Sequence, residues 1–114
     1  MFEHIRAVRR FGRASRLAEV KQYASAKKLC AEGLELLSRA RPDAFGHWRV
    51  TKLVILELLA HAHLALGERD DARKALEAWL AFLAESQRAN RGFRGNAPLE
   101  KSEAWVRHSL AGLD

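Results

Sequence analysis

The sequence predicts an all-α protein of about five helices, arranged as antiparallel helical hairpins. Apolar residues recur at helical spacing along most of the 114-residue chain, and glycine, proline and polar residues punctuate them. Two prolines and seven glycines are too few for the many turns of an all-β fold. Hydrophobic residues make up 48% of the chain, which is enough for one buried core at this length.

The first hairpin is predicted over residues 1–40. Its first helix covers about residues 2–22, and its apolar residues fall on one face when they are stepped at about 100° per residue. Gln22 and Tyr23 interrupt the pattern, and a second helix begins near residue 24 or 25 and ends near residue 38. The predicted apolar face of the first helix comprises Ile5, Val8, Phe11, Gly12, Ser15 and Ala18.

The second hairpin is predicted over residues 43–87. Its first helix follows Pro42 and covers about residues 44–66; it is apolar nearly all round, which is typical of a helix flanked on more than one side. Gly67 supplies a residue that adopts the left-handed conformation cheaply and so ends that helix. The next helix is predicted over about residues 69–86.

The remaining segment is predicted as a loop, residues 88–96, and a capping helix, residues 97–112. Pro98 suits the first turn of a helix, where a missing N–H costs nothing. An isolated Phe93 in the loop is expected to pack back onto the core, and contact with a partner or nucleic acid is the alternative. The apolar residues Leu99, Val106 and Leu110, with Trp105 beside them, favour a final helix.

The net charge of +6 is unevenly distributed. Residues 1–52 carry 12 basic against 5 acidic side chains, whereas residues 53–87 carry 3 against 6. This asymmetry predicts that partner-facing positive charge lies at the N-terminal end.

A basic stripe on the first helix concentrates this charge. Its five arginines span about 120° of the helix surface at about 100° per residue, opposite the predicted apolar face. A solvated basic face is the favoured interpretation, and an acidic protein partner or nucleic-acid phosphates are the alternatives. Because no aromatic residue is interleaved in the stripe, single-strand binding is disfavoured. The stripe comprises Arg6, Arg9, Arg10, Arg13 and Arg16.

The two predicted helix joints align with each other. Residues 22–26 match residues 68–72, and Cys30 then falls on Leu76. The offset, from Ala26 to Ala72, is 46 residues.

The second hairpin resembles the tetratricopeptide repeat, which pairs large residues in its helices with small residues at the helix contacts and a glycine at the turn. The first hairpin fits at its turn and second helix, but Arg10 and Arg13 stand where the family has apolar residues. This mismatch predicts that the first helix is rotated or packs differently. The offset exceeds the usual length of about 34 residues, as in the longer helices of bacterial regulator-type domains of this family. The matching residues are Leu56, Leu59, Ala60, His63, Gly67, Ala72 and Leu76.

The resemblance implies a short right-handed superhelix with a concave groove, lined by the first helix of each repeat. It implies a non-catalytic adaptor or scaffold that binds an apolar helix or peptide segment of a protein partner. The lysine and asparagine of the family's carboxylate clamp are absent, so a chaperone-tail clamp is not expected. With two hairpins, the last helix or a second copy of the chain is expected to fill the groove. The groove residues carried over are Val8, Phe11, Ser15, Val54, Glu57, Leu58, His61 and Leu64.

The sequence predicts neither catalysis nor a cofactor. Cys30 is a single cysteine, which excludes an intramolecular disulfide and favours a core thiol. Glu57 and His61 lack the third ligand that zinc requires, and we expect a hydrogen-bonded pair. No apolar stretch is long enough for a signal peptide or a membrane span, so a cytoplasmic protein is expected. The Ala, Arg and Leu-rich composition is typical of GC-rich bacterial genomes. A nucleic-acid-binding helical protein is the alternative function.

Overall fold

The computed structural model of the chain describes residues 2–41, 47–89, 93 and 97–114. Within these residues the protein is all-α, with five helices and no strand, which confirms the predicted fold class. Consecutive helices pack against one another, and α3 also contacts α1. The prediction that the third helix is flanked on more than one side is therefore confirmed. The helices are α1 (Glu3–Glu19), α2 (Tyr23–Arg39), α3 (His47–Ala65), α4 (Arg69–Ala89) and α5 (Ala97–Leu113).

The joints α1–α2 and α3–α4 have the same backbone geometry. Each contains a residue with positive φ, Lys21 at 63° and Gly67 at 75°. Each closes the preceding helix with the paired 6→1 and 5→2 hydrogen bonds of a Schellman motif. The N···O distances are 2.8 Å (Gln22–Leu17) and 3.0 Å (Lys21–Ala18) in the first joint, and 2.9 Å (Glu68–His63) and 3.1 Å (Gly67–Leu64) in the second.

The pattern of buried residues repeats with the same 46-residue offset as the helix joints. All five buried residues of α2 have buried counterparts in α4 at this offset, so the two second helices present matching faces to the core. The pairs are Ala26 and Ala72, Cys30 and Leu76, Gly33 and Trp79, Leu36 and Phe82, and Leu37 and Leu83.

The predicted apolar face of the first helix is wrong in part. Phe11 and Ala18 pack against the core cluster as predicted, whereas Ile5 and Val8 are 52% and 46% exposed. The fully buried residues of α1 are Ala7 and Ala14, whose small side chains allow close packing against α2. Of the two alternatives predicted for the first helix, a rotation is not seen: Ala7 and Ala14 lie 46 residues before the buried Leu53 and Ala60, so α1 and α3 bury corresponding positions.

Helix ends differ from the predicted bounds by up to one turn. α1 ends at Glu19 rather than near residue 22, because Lys21 adopts the left-handed conformation. α4 continues three residues beyond its predicted end, to Ala89, and α5 one residue beyond its predicted end, to Leu113. The predicted start of the third helix near residue 44, and most of the 88–96 loop, lie outside the described residues.

Two clusters of buried residues form the core. One joins α1, α2 and Ile55 of α3, and the other joins α3, α4 and α5. Phe93 is 8% exposed and belongs to the second cluster, which confirms the expectation that it packs onto the core. In the part of the chain that is described, no helix has the length and apolar character needed to cross a bilayer.

Candidate functional site: a groove between α1 and α3

A cleft of about 230 Å³ lies between α1 and α3. Its lining is mainly apolar, with one carboxylate, one imidazole and one hydroxyl. All six lining residues belong to the eight that the resemblance assigned to a groove. They are Phe11, Ser15, Val54, Glu57, Leu58 and His61.

Helical spacing explains why these side chains converge. Phe11 and Ser15 are four residues apart on α1, and Val54, Leu58 and His61 follow one another at intervals of four and three on α3. Residues at these spacings share one face of a helix. Near one end of the two helices, a 3.0 Å hydrogen bond joins His4 Nε2 to Thr51 Oγ1.

The last helix contacts the two polar groove residues of α3. Ser102 Oγ donates a 2.8 Å hydrogen bond to the Glu57 carboxylate. The Trp105 ring stacks on His61, with ring centroids 3.8 Å apart and an interplanar angle of 19°. The described residues of α5 therefore lie beside α3, and the cleft itself is lined by α1 and α3. The expectation that the last helix fills the groove is not met within the described residues.

The surroundings of His61 shift its titration. Desolvation lowers the pKa of His61 below its ordinary value, while the nearby Glu57 carboxylate opposes that shift. Among the described residues, the hydrogen bond to Glu57 comes from Ser102 and not from His61, contrary to the predicted pair.

The other two predicted groove residues lie at its margins. Val8 is 46% exposed on α1, one turn before Phe11. Leu64 is half-buried and packs against the cluster that α3 shares with α4 and α5. Neither lines the cleft.

The basic stripe is largely exposed, which all three interpretations of the stripe allow. Arg6, Arg9, Arg13 and Arg16 are exposed, whereas Arg10 is partly covered and lies 3.3 Å from a Glu32 carboxylate oxygen of α2. Four of the five guanidinium groups are thus accessible on one side of α1.

A cluster of charged and polar side chains lies at the second joint, and residue spacing in the sequence did not predict it. His63 Nδ1 lies 2.8 Å from Glu68 Oε1, and Lys27 Nζ lies 3.0 Å from both oxygens of that carboxylate. His63, Glu68 and Asp71 have the ligand types and proximity that a metal ion needs. Lys27 supplies positive charge to this carboxylate, so the contact links α2 to the second hairpin.

Cys30 lies in the core, as the sequence predicted. The side chain is fully buried against α1 and α3, and burial raises the pKa of its thiol to about 12. A thiol that stays protonated at neutral pH is a poor nucleophile.

Comparison with known proteins identifies no relative of this chain. No protein-family model, no curated protein and no solved structure matches the chain.

Proposed function

We propose that this protein is a non-catalytic adaptor or scaffold that binds an apolar helix or peptide segment of a protein partner in the groove between α1 and α3. The observation that carries the proposal is the convergence of Phe11, Val54, Leu58 and His61 in one open cleft. Concave, mainly apolar clefts with a few polar groups are the usual form of such sites.

The proposed architecture is a short tetratricopeptide-like superhelix. Support comes from the joints that repeat at Lys21 and Gly67, and from the buried faces that repeat at 46 residues. In such an array the first helices of successive hairpins line the concave surface, and α1 and α3 are those helices here. A long repeat unit accounts for the offset.

The groove chemistry defines the proposed occupant. Phe11, Val54 and Leu58 favour apolar anchors at helical spacing, as in helix-in-groove recognition. Glu57 is the one carboxylate among the lining residues, so a basic or amide side chain beside the anchor would complement it. Because a short array exposes an open groove, a second copy of the chain is a further candidate occupant. Cys30 is the single cysteine of the chain, and the lack of a cysteine pair is compatible with the proposed cytoplasmic location.

The test compares two Leu→Glu variants during affinity capture under nuclease treatment. Leu58→Glu places a charge in the groove, whereas Leu66→Glu makes the same change at a residue that is 41% exposed and outside the cleft. We expect Leu58→Glu to remove a specific co-purifying protein and Leu66→Glu to retain it. Circular dichroism confirms that both variants keep wild-type helicity.

The outcomes separate the proposed function from its alternative. If both variants retain every co-purifying protein, the groove is not the binding surface. If the bound material disappears with nuclease treatment, the nucleic-acid alternative replaces the adaptor. Light scattering of the wild-type protein tests the second-copy occupant: a monomer at high concentration excludes it.

A further inference from the structure

The side of α1 that faces away from the rest of the fold corresponds to a covered side of α3. In α3 this side packs on α2: Trp48 Nε1 donates a 3.0 Å hydrogen bond to the Leu37 carbonyl, and Ile55 lies in the α1–α2 core cluster. At Gly33 of α2, an added Cβ would lie 3.1 Å from Ile55 Cδ1, so the two helices approach closely there. The packing of α2 on α3 therefore shows how a helix docks on this side.

In α1, arginines replace the apolar residues of that side. Forty-six residues before the buried Ile55 and Ala62 stand Arg9 and Arg16, and both are exposed. Arg13 corresponds in the same way to the partly buried Leu59. The arginines that break the resemblance to the repeat in the first hairpin are therefore on the side of α1 that corresponds to the α2-packed side of α3.

The outer side of α1 also carries exposed apolar side chains, which a purely polar surface would not have. Phe2 and Ile5 are 63% and 52% exposed, and they lie at the start of α1 beside the arginines. They are two of the six large apolar side chains that are exposed in the described residues. Grouped exposed apolar side chains are one mark of an interaction site.

The use of arginine rather than lysine on α1 also favours a protein–protein interface. α1 carries five arginines and no lysine. Arginine forms bidentate bonds to carboxylates and is enriched with aromatic residues at protein interfaces, whereas lysine is depleted there. Solubility alone does not require this selection.

We infer that the outer side of α1 docks an acidic amphipathic helix of a partner protein, much as α2 docks on α3. Carboxylates of that helix would pair with Arg9, Arg13 and their neighbours, while its apolar residues would cover Phe2 and Ile5. Two copies of α1 cannot dock face to face, because that would oppose arginine to arginine. Nucleic acid matches the charge but leaves the apolar side chains uncovered, so it is the disfavoured partner.

The test uses a fluorescein-labelled helical peptide of about 20 residues, with leucines along one face and glutamates flanking them. Arg9→Gln/Arg13→Gln should weaken its binding about tenfold, and Ile5→Ser about threefold. The matched control, Lys28→Gln/Lys74→Gln, removes the same charge from exposed residues of α2 and α4 and should change binding less than about twofold. If the peptide occupies the outer side of α1, Leu58→Glu in the groove should change its binding less than about twofold. A larger loss would place the peptide in the groove, which separates this site from the proposed function.

Three results would overturn the inference. The first is a control pair that weakens peptide binding as much as the arginine pair, since attraction would then come from net charge alone. The second is an Ile5→Ser variant with wild-type affinity. The third is tighter binding of duplex DNA than of the peptide at about 150 mM salt, which would assign the stripe to nucleic acid. Amide chemical-shift changes confined to α1 would support the inference independently.

Discussion

Lys21 occupies in the first helix joint the position that Gly67 occupies in the second, and both have positive φ, 63° and 75°. A lysine pays a steric cost of about 1 kcal/mol in this conformation, because its Cβ approaches backbone oxygen, and glycine does not. The first joint therefore keeps the Schellman geometry of the second joint at a local cost.

The Lys21→Gly variant should unfold at higher urea concentration than wild type. We expect a gain of about 1 kcal/mol in the free energy of unfolding, since glycine relieves the left-handed strain. Gln22→Gly is the control, because residue 22 has φ of −88° and glycine there only adds freedom to the unfolded chain. A control that gains as much as Lys21→Gly would contradict the explanation by backbone strain.

Gly33 and Ile55 should be energetically coupled. Alanine at Gly33 favours the helix by up to about 1 kcal/mol, but its Cβ would lie 3.1 Å from Ile55 Cδ1. Ile55→Val removes that methyl group, so Gly33→Ala should be about 1 kcal/mol more favourable in the valine background than in wild type. A double-mutant cycle in urea measures this coupling, and additivity within about 0.3 kcal/mol would show that the contact is relaxed.

His61 should titrate differently when its ring loses the cover of Trp105. Desolvation lowers the pKa of His61 and Glu57 raises it, so Trp105→Leu should move that pKa upward toward 6.5, whereas Glu57→Gln should move it further down. NMR titration of the ring protons measures both shifts. Equal pKa values in wild type and Trp105→Leu would contradict the stacked arrangement.

The same pKa shift predicts the pH dependence of stability. The folded chain binds a proton at His61 less readily than the unfolded chain, so stability falls as the pH drops through about 6.5 toward the lower folded pKa. The loss should be smaller in Trp105→Leu, as urea unfolding between pH 7.5 and pH 5 would show. A wild-type chain whose stability does not change over that range would exclude the shift.

Glu68 should contribute to stability mainly above its ordinary pKa of 4.5. Hydrogen bonds from His63 and Lys27 lower the pKa of Glu68 in the folded chain, so this contribution is present above 4.5 and is lost as the pH falls through the lower folded value. Glu68→Gln should flatten the acid limb of the stability profile. Glu77→Gln, at an exposed carboxylate of α4, is the control. If both variants give the same profile, the joint cluster has no special role.

The second hairpin was more predictable than the first for a local reason. Gly67 signals a left-handed residue by its identity, and the joint could be placed from it. Lys21 carries no such signal, and its conformation follows from the hydrogen bonds that close the joint, so the end of α1 was placed one turn too late. The face of α1 was misjudged in part because Ala7 and Ala14 add little hydrophobicity, although both are fully buried.

Residues on α1 and α3 could be assigned to a groove from the sequence, but the contacts that α5 makes beside them could not be predicted. Residue-by-residue correspondence with a repeat assigns the lining residues of each hairpin, and six of the eight assigned residues do line the cleft. The Trp105–His61 stack joins residues 44 positions apart across a loop, and no spacing rule connects them. The contact of Ser102 with Glu57 could not be predicted either, because a single serine in a helix forms no recognisable sequence pattern.

Site-specific photocrosslinking in the groove tests the central claim most directly. A small diazirine amino acid is placed at Ser15, which lines the cleft, or at Ser25, which is exposed on α2. We predict that illumination in cells yields a discrete crosslinked protein from position 15 that is absent from position 25 and is lost with Leu58→Glu. The same crosslinked protein from both positions, or none from position 15, would contradict the assignment of this groove as the binding site.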